Sequence, residues 1–301
     1  MTDLIDIHAD DYGLSAASDK TILELLEANK LTSISFMTNL SRFENAVKDF
    51  QTVQQKRSSP ALVSVHLNFV EGHCAAPVEC VPDLIDKNGY FTVTWEKLFL
   101  WNYNPLMRNK IRKQLSAEIT AQTERLVASG IADKNALRFD SHMHTHMIPL
   151  VFDALKDSVK TNQYKVSFIR NTQDPLSYYA GFFSLYKTYS PINAVKCMIL
   201  NFYSCVKIRS SLKKMSISPS LLCGVFFSGK MNAERLEKVL PVFIKNAQNQ
   251  KRGLEVLFHP CLMAKDELTE EFNKPDINEF HISENRIIEY KTCKELILSW
   301  T

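Results

Sequence analysis

Short apolar runs alternate with helical periodicity along most of this chain, and acids and histidines collect where those runs end. The runs cover 4–9, 33–37, 62–66, 136–140, 164–170, 221–227 and 254–258. Between them, Ser15 or Ser18 is placed to cap a helix that turns Ile22, Leu23, Leu25 and Leu26 inward. Helices are also expected at 45–55, 108–129, 150–159, 233–246 and 283–298; the second shows Ile111, Leu115, Ile119 and Leu126 as a stripe before Gly130. Strand and helix in alternation predict an α/β fold with mostly parallel strands. In such folds the C-terminal ends of the strands gather the functional groups.

The 301 residues are 45% apolar and 23% charged, as in an ordinary globular chain, and contain no internal repeat or linker. A single catalytic domain over 1–301 is expected, with an irregular insertion at about 68–103 and a partly helical one at about 171–215. A net charge of +3 is too small to indicate a nucleic-acid partner, and the basic stretch at 207–214 reads as a solvated helix face. Seven cysteines without a repeated short spacing argue against a disulfide framework or a cysteine zinc site. The acidic start, MTDLIDIHADDYG, has no signal-peptide pattern, and no stretch is apolar enough to span a bilayer. The expectation is a cytoplasmic protein with no membrane partner, and a homodimer by base rate.

Asp10 and Asp11 follow the first strand. On a continuing strand their carboxylates would diverge, whereas a bend would aim both into one pocket, where one could ligate a cation and the other accept a proton. A turn or capping role is the alternative. His8 is expected to pack beneath the site. In DSHMHTHMIP, His142, His144 and His146 alternate, so an extended backbone would turn all three to one side. Neighbours on one face lie about 6–7 Å apart, so one or two could bind a cation while the others touch substrate or orient Asp140. His66 ends another strand, with Asn68 on its face if that strand persists. One Asp and two His form a ligand set suited to zinc and, less comfortably, to magnesium. His259 ends the last strand as a candidate general acid. Tyr90, Phe91 and Trp95 in the 68–103 insertion are candidates to stack on a sugar ring. No glycine-rich phosphate loop or serine nucleophile elbow is present.

Together IHADDYGLS, TSISFMTN, VSVHLNFVEG, FDSHMHTHMIPLVFDAL and VLFHPC resemble the YdjC-like family, in that family's order and across nearly the whole chain. The resemblance implies a distorted (β/α) barrel related to polysaccharide deacetylases, with one divalent cation, magnesium or zinc, at its C-terminal mouth. It implies that Asp11, His66 and His142 ligate the metal, that Asp10 is the general base and that His259 is the partner acid. The implied reaction is metal-dependent hydrolytic deacetylation of an N-acetylated sugar or oligosaccharide. Rival readings are another metal-dependent hydrolase, or a non-catalytic sugar-binding protein on the same scaffold. The chain departs from the pattern at His8, where the family has Asn, and at Cys261, where the family has Gly. Arg170 resembles a family arginine, for which Asp174 is a loose candidate as the accompanying acid.

Overall fold

The computed structural model describes residues 5–188, 190–260 and 262–296, with the backbone alone at 183, 187 and 188. Seven strands form one sheet: β1 (Ile5–Tyr12), β2 (Ser33–Phe36), β3 (Leu62–Leu67), β4 (Leu137–Ser141), β5 (Val166–Ile169), β6 (Leu221–Cys223) and β7 (Leu254–Phe258). Their order is β5-β4-β3-β2-β1-β7-β6, and every pairing is parallel. β2 and β7 are buried at every position, which explains why they read as continuous runs rather than alternating ones.

Helices return the chain between strands. They are α1 (Ala16–Glu27), α2 (Phe43–Gln54), α3 (Trp95–Tyr103), α4 (Pro105–Ala128), α5 (Pro149–Thr161), α6 (Pro191–Tyr203), α7 (Arg209–Lys214), α8 (Ala233–Gln250), α9 (Pro275–His281) and α10 (Glu284–Glu295). Ser15 caps α1 by accepting from the Ser18 amide. Asn104 caps α4, where Pro105 occupies the first turn at no hydrogen-bond cost. α2 turns Phe43, Ala46, Val47, Phe50 and Val53 into the core.

The outer strands β5 and β6 do not pair directly. The segment leaving β5 crosses toward β6 instead: the Leu222 amide donates to the Gln173 carbonyl at 2.9 Å, and Asn171 Nδ2 to the Ser220 carbonyl at 3.0 Å. The architecture is therefore a distorted (β/α) barrel.

Two expectations are corrected. The strand expected over 221–227 stops at Cys223, because Asp174 accepts the Val225 and Phe226 amides at 2.9 Å each and turns the chain away. At Gly224, φ is 145°, and a Cβ would lie 2.9 Å from the Leu257 carbonyl oxygen, so only glycine fits this close passage. The 68–103 insertion also ends in helix, α3, capped by Thr94, and sinks Phe91 and Leu98 into the core.

Candidate active site

β1 carries the bend that its two carboxylates need. Its register against β2 slips between Ala9 and Tyr12, and Asp11 adopts φ 64°, a left-handed conformation that aspartate tolerates better than most residues. Asp10 and Asp11 consequently both line one pocket of about 340 Å³.

Asp11, His66 and His142 converge beneath it, with ligand atoms within 4.8 Å of one another. Asp11 Oδ1 lies 2.9 Å from His142 Nδ1 and 3.3 Å from His66 Nε2. His66 is oriented from behind, its Nδ1 2.6 Å from Asp140 Oδ1, and its buried Nε2 makes no hydrogen bond. An imidazole fixed by a carboxylate at one nitrogen and free at the other suits a cation ligand. Burial alone would lower both histidine pKa values, yet the surrounding carboxylates outweigh it, raising His66 to about 10 and His142 to about 9. The cluster thus stabilises positive charge.

Asp10 stands just outside that set. Arg170, fully buried, grips both its oxygens at 2.9 and 2.7 Å and reaches Glu255 Oε1 at 2.6 Å. Burial pushes the Asp10 carboxyl up, but Arg170 and the neighbouring histidines hold it well below the usual carboxylate range. His259 Nε2 lies 3.8 Å from Asp10 Oδ2, and its backbone N–H donates to Glu289 at 2.6 Å. His8 is buried below, 3.1 Å from Asp10 and 2.5 Å from Ser33 Oγ. Asp174 does not accompany Arg170; that place belongs to Asp10, Glu255 and Asp140.

The three alternating histidines do not share a face. Met143 and His144 are left-handed, with φ 54° and 57°, so the chain coils instead of extending. His142 enters the ligand cluster and His144 lines the pocket. His146 bonds Ser141 Oγ at 2.6 Å and the Arg170 carbonyl at 2.9 Å, holding the turn to β5. Asn68 lies beyond the end of β3 and shapes a turn, its Oδ1 accepting the Val70 amide.

The aromatic expectation fails. Tyr90, Phe91 and Trp95 are absent from the pocket lining, which comes instead from Ser190, Asn193, Lys196, Lys230, Asp276 and Phe280 among others. A larger depression of about 550 Å³ lies among Leu62, Ala136 and Leu137, near the N-terminal ends of β3 and β4. It has no histidine in its lining.

Several partners were not anticipated from the sequence. Glu71 Oε1 lies 3.1 Å from His142 Nε2, and His281 lies 3.0 Å from the same carboxylate. Arg286 donates to Asp11 Oδ2, and Glu289 stands behind His259. Glu71 sits in VSVHLNFVEG, so its proximity to His66 in the chain was a usable signal. His281, Arg286 and Glu289 follow the last strand and carry none. Cys261 lies outside the described residues.

Residues 4–297 match the family described as YdjC-like protein. The chain is 27% identical over 167 residues to a carbohydrate deacetylase of Geobacillus stearothermophilus, covering 56% of this chain and 60% of that protein. It is 24% identical over 158 residues to a chitooligosaccharide deacetylase of Yersinia enterocolitica, covering 52% and 55%. These matches span little more than half of the relatives' own length. A crystal structure of an Enterococcus faecalis protein, given as a candidate cellobiose-phosphate cleavage protein, superposes with a TM-score of 0.61 at 17% identity, covering 97% of this chain and 93% of that one.

Proposed function

Because the chain belongs to the YdjC-like family, we propose that it is a single catalytic domain that hydrolyses the acetamide of an N-acetylated sugar or oligosaccharide with the help of one divalent cation. The observation carrying this reading is the convergence of Asp11, His66 and His142 on one side of Asp10, with His259 on another, at the floor of one pocket. The relatives named carbohydrate deacetylase and chitooligosaccharide deacetylase support the sugar and the acetyl group.

Asp11, His66 and His142 would hold the cation, for which His66 Nε2, buried without a hydrogen bond, is a fitting donor. Zinc or magnesium bound there would supply Lewis acidity toward the acetamide carbonyl and a more acidic water. Asp10 is the general base: its interaction with Arg170 keeps it ionised at neutral pH and fixes its orientation, at some cost in basicity. His259 is the general acid that protonates the departing amine at Nε2. Its ring is steadied by Glu289 Oε2, 3.5 Å from Nδ1. Phe280, beside His259 with ring centroids 5.7 Å apart, is the aromatic wall against which a sugar ring would rest.

The test is acetate release from N-acetylglucosamine and its oligosaccharides by protein stripped of metal and reloaded with zinc or magnesium. Metal-dependent release is expected. Silence across the panel with metal demonstrably bound would redirect the reading to another hydrolysable substrate or to a binding protein.

A further inference from the structure

α6 has two dissimilar sides. Asn193 and Lys196 line the pocket, while Cys197, Leu200 and Tyr203 are buried. The outer side shows Ile192, Val195, Met198 and Phe202, followed by Val206 in the π-helical turn Ser204–Ile208, at steps of three and four residues. The Tyr103 and Tyr203 hydroxyls meet at 2.9 Å, which brings the α3–α4 junction, with its exposed Leu100, Tyr103 and Leu106, against α6. These large apolar side chains range from 51% exposed at Met198 to 89% at Leu106. A contiguous face of this kind marks an interaction surface.

The charge around it selects the partner. Between Asp174 and Glu234 the chain has seven lysines and arginines and no acidic residue. Lys207 is paired with Asp153 at 2.8 Å, but Lys213 and Lys214 are exposed at the end of α7 and form no ion pair among the described residues. An apolar stripe flanked by lysines matches the composition of a helix lying in a lipid interface.

We propose that the outer face of α6 and the turns after it docks peripherally onto an anionic lipid surface, Ile192, Val195, Met198, Phe202 and Val206 entering the headgroup boundary and Lys213 and Lys214 meeting acidic headgroups. No described helix is long and apolar enough to cross a membrane, so the contact is a surface one. α6 then carries both the docking face and part of the pocket wall.

The experiment is co-sedimentation of the full chain with vesicles of phosphatidylglycerol and phosphatidylcholine, against phosphatidylcholine alone, at low and high salt. The wild-type chain should partition to the anionic vesicles and be weakened by salt. Val195→Glu/Phe202→Glu should reduce partitioning by about tenfold or more, and Lys213→Glu/Lys214→Glu should do so by a similar amount. Both double variants change exposed side chains only, so their melting temperatures should match wild type. No partitioning by wild type, or undiminished partitioning by the first variant, would overturn the proposal. So would a wild-type dimer that this variant dissociates while vesicles are ignored.

Discussion

Arg286 Nη2 donates to Asp11 Oδ2 at 2.7 Å, pinning the carboxylate of β1 from a helix 275 residues further along the chain. The guanidinium is fully buried, and the Phe280 ring lies 4.3 Å beneath it. Asp11 is thereby fixed at one oxygen while the other faces His66 and His142.

Removing that guanidinium would leave Asp11 buried with much of its positive surroundings gone. Breaking a buried pair from one side costs about 3–5 kcal/mol. Arg286→Met should lose about that much in urea unfolding at neutral pH, and saturating zinc should recover part of it by binding the folded state. An unchanged midpoint would show that Asp11 does not depend on Arg286.

Glu71 is the carboxylate behind His142. Burial would raise its pKa, but His281 and His142 hold it well below the usual range, so it stays ionised, bonded to His281 and paired with His142 Nε2 3.1 Å away. Partners in this position typically contribute about 10–100-fold to metal affinity. Glu71→Gln should weaken zinc binding by that factor in a chelator competition, with His281→Ala acting in the same direction. Full affinity in Glu71→Gln would remove Glu71 from the site.

Asp174 gives a pH signature away from the metal cluster. Burial raises its pKa from 3.8 to about 6, against the hydrogen bonds it accepts from Tyr179 and the backbone at Phe226 and Val225. With the folded value above the unfolded one, the folded state binds more protons between them. The contribution is fully present below about pH 4 and is lost as pH rises through about 6. Asp174→Asn lacks this titration, so wild type should lose stability relative to it across that window, by on the order of 3 kcal/mol. A constant difference between the two from pH 4 to pH 7 would place the Asp174 pKa at its ordinary value.

The strand ends near the site were readable because four apolar runs stop at a residue with distinctive chemistry, Asp10, His66, Asp140 or His259, and Asp10, Asp11, His66, His142 and His259 are all found around one pocket. What the sequence could not convey was conformation inside short polar segments. The left-handed pair Met143 and His144 reverses the alternation rule for the histidine triplet, and nothing in their side chains announces it. The walls were missed for a different reason. Phe91 packs in the core and Trp95 against it, and Tyr90 meets His73 edge-on, whereas Asn193, Lys196 and Asp276 sit on helices whose polar positions look like ordinary surface until the fold brings them over β1.

The most direct test measures metal content and acetate release on the same samples of wild type, Asp10→Asn and His66→Ala. Asp10→Asn should retain its cation and lose turnover, because Asp10 lies outside the ligand set, while His66→Ala should lose both. Turnover persisting in Asp10→Asn, or full metal occupancy in His66→Ala, would contradict the division between base and ligands on which the account depends.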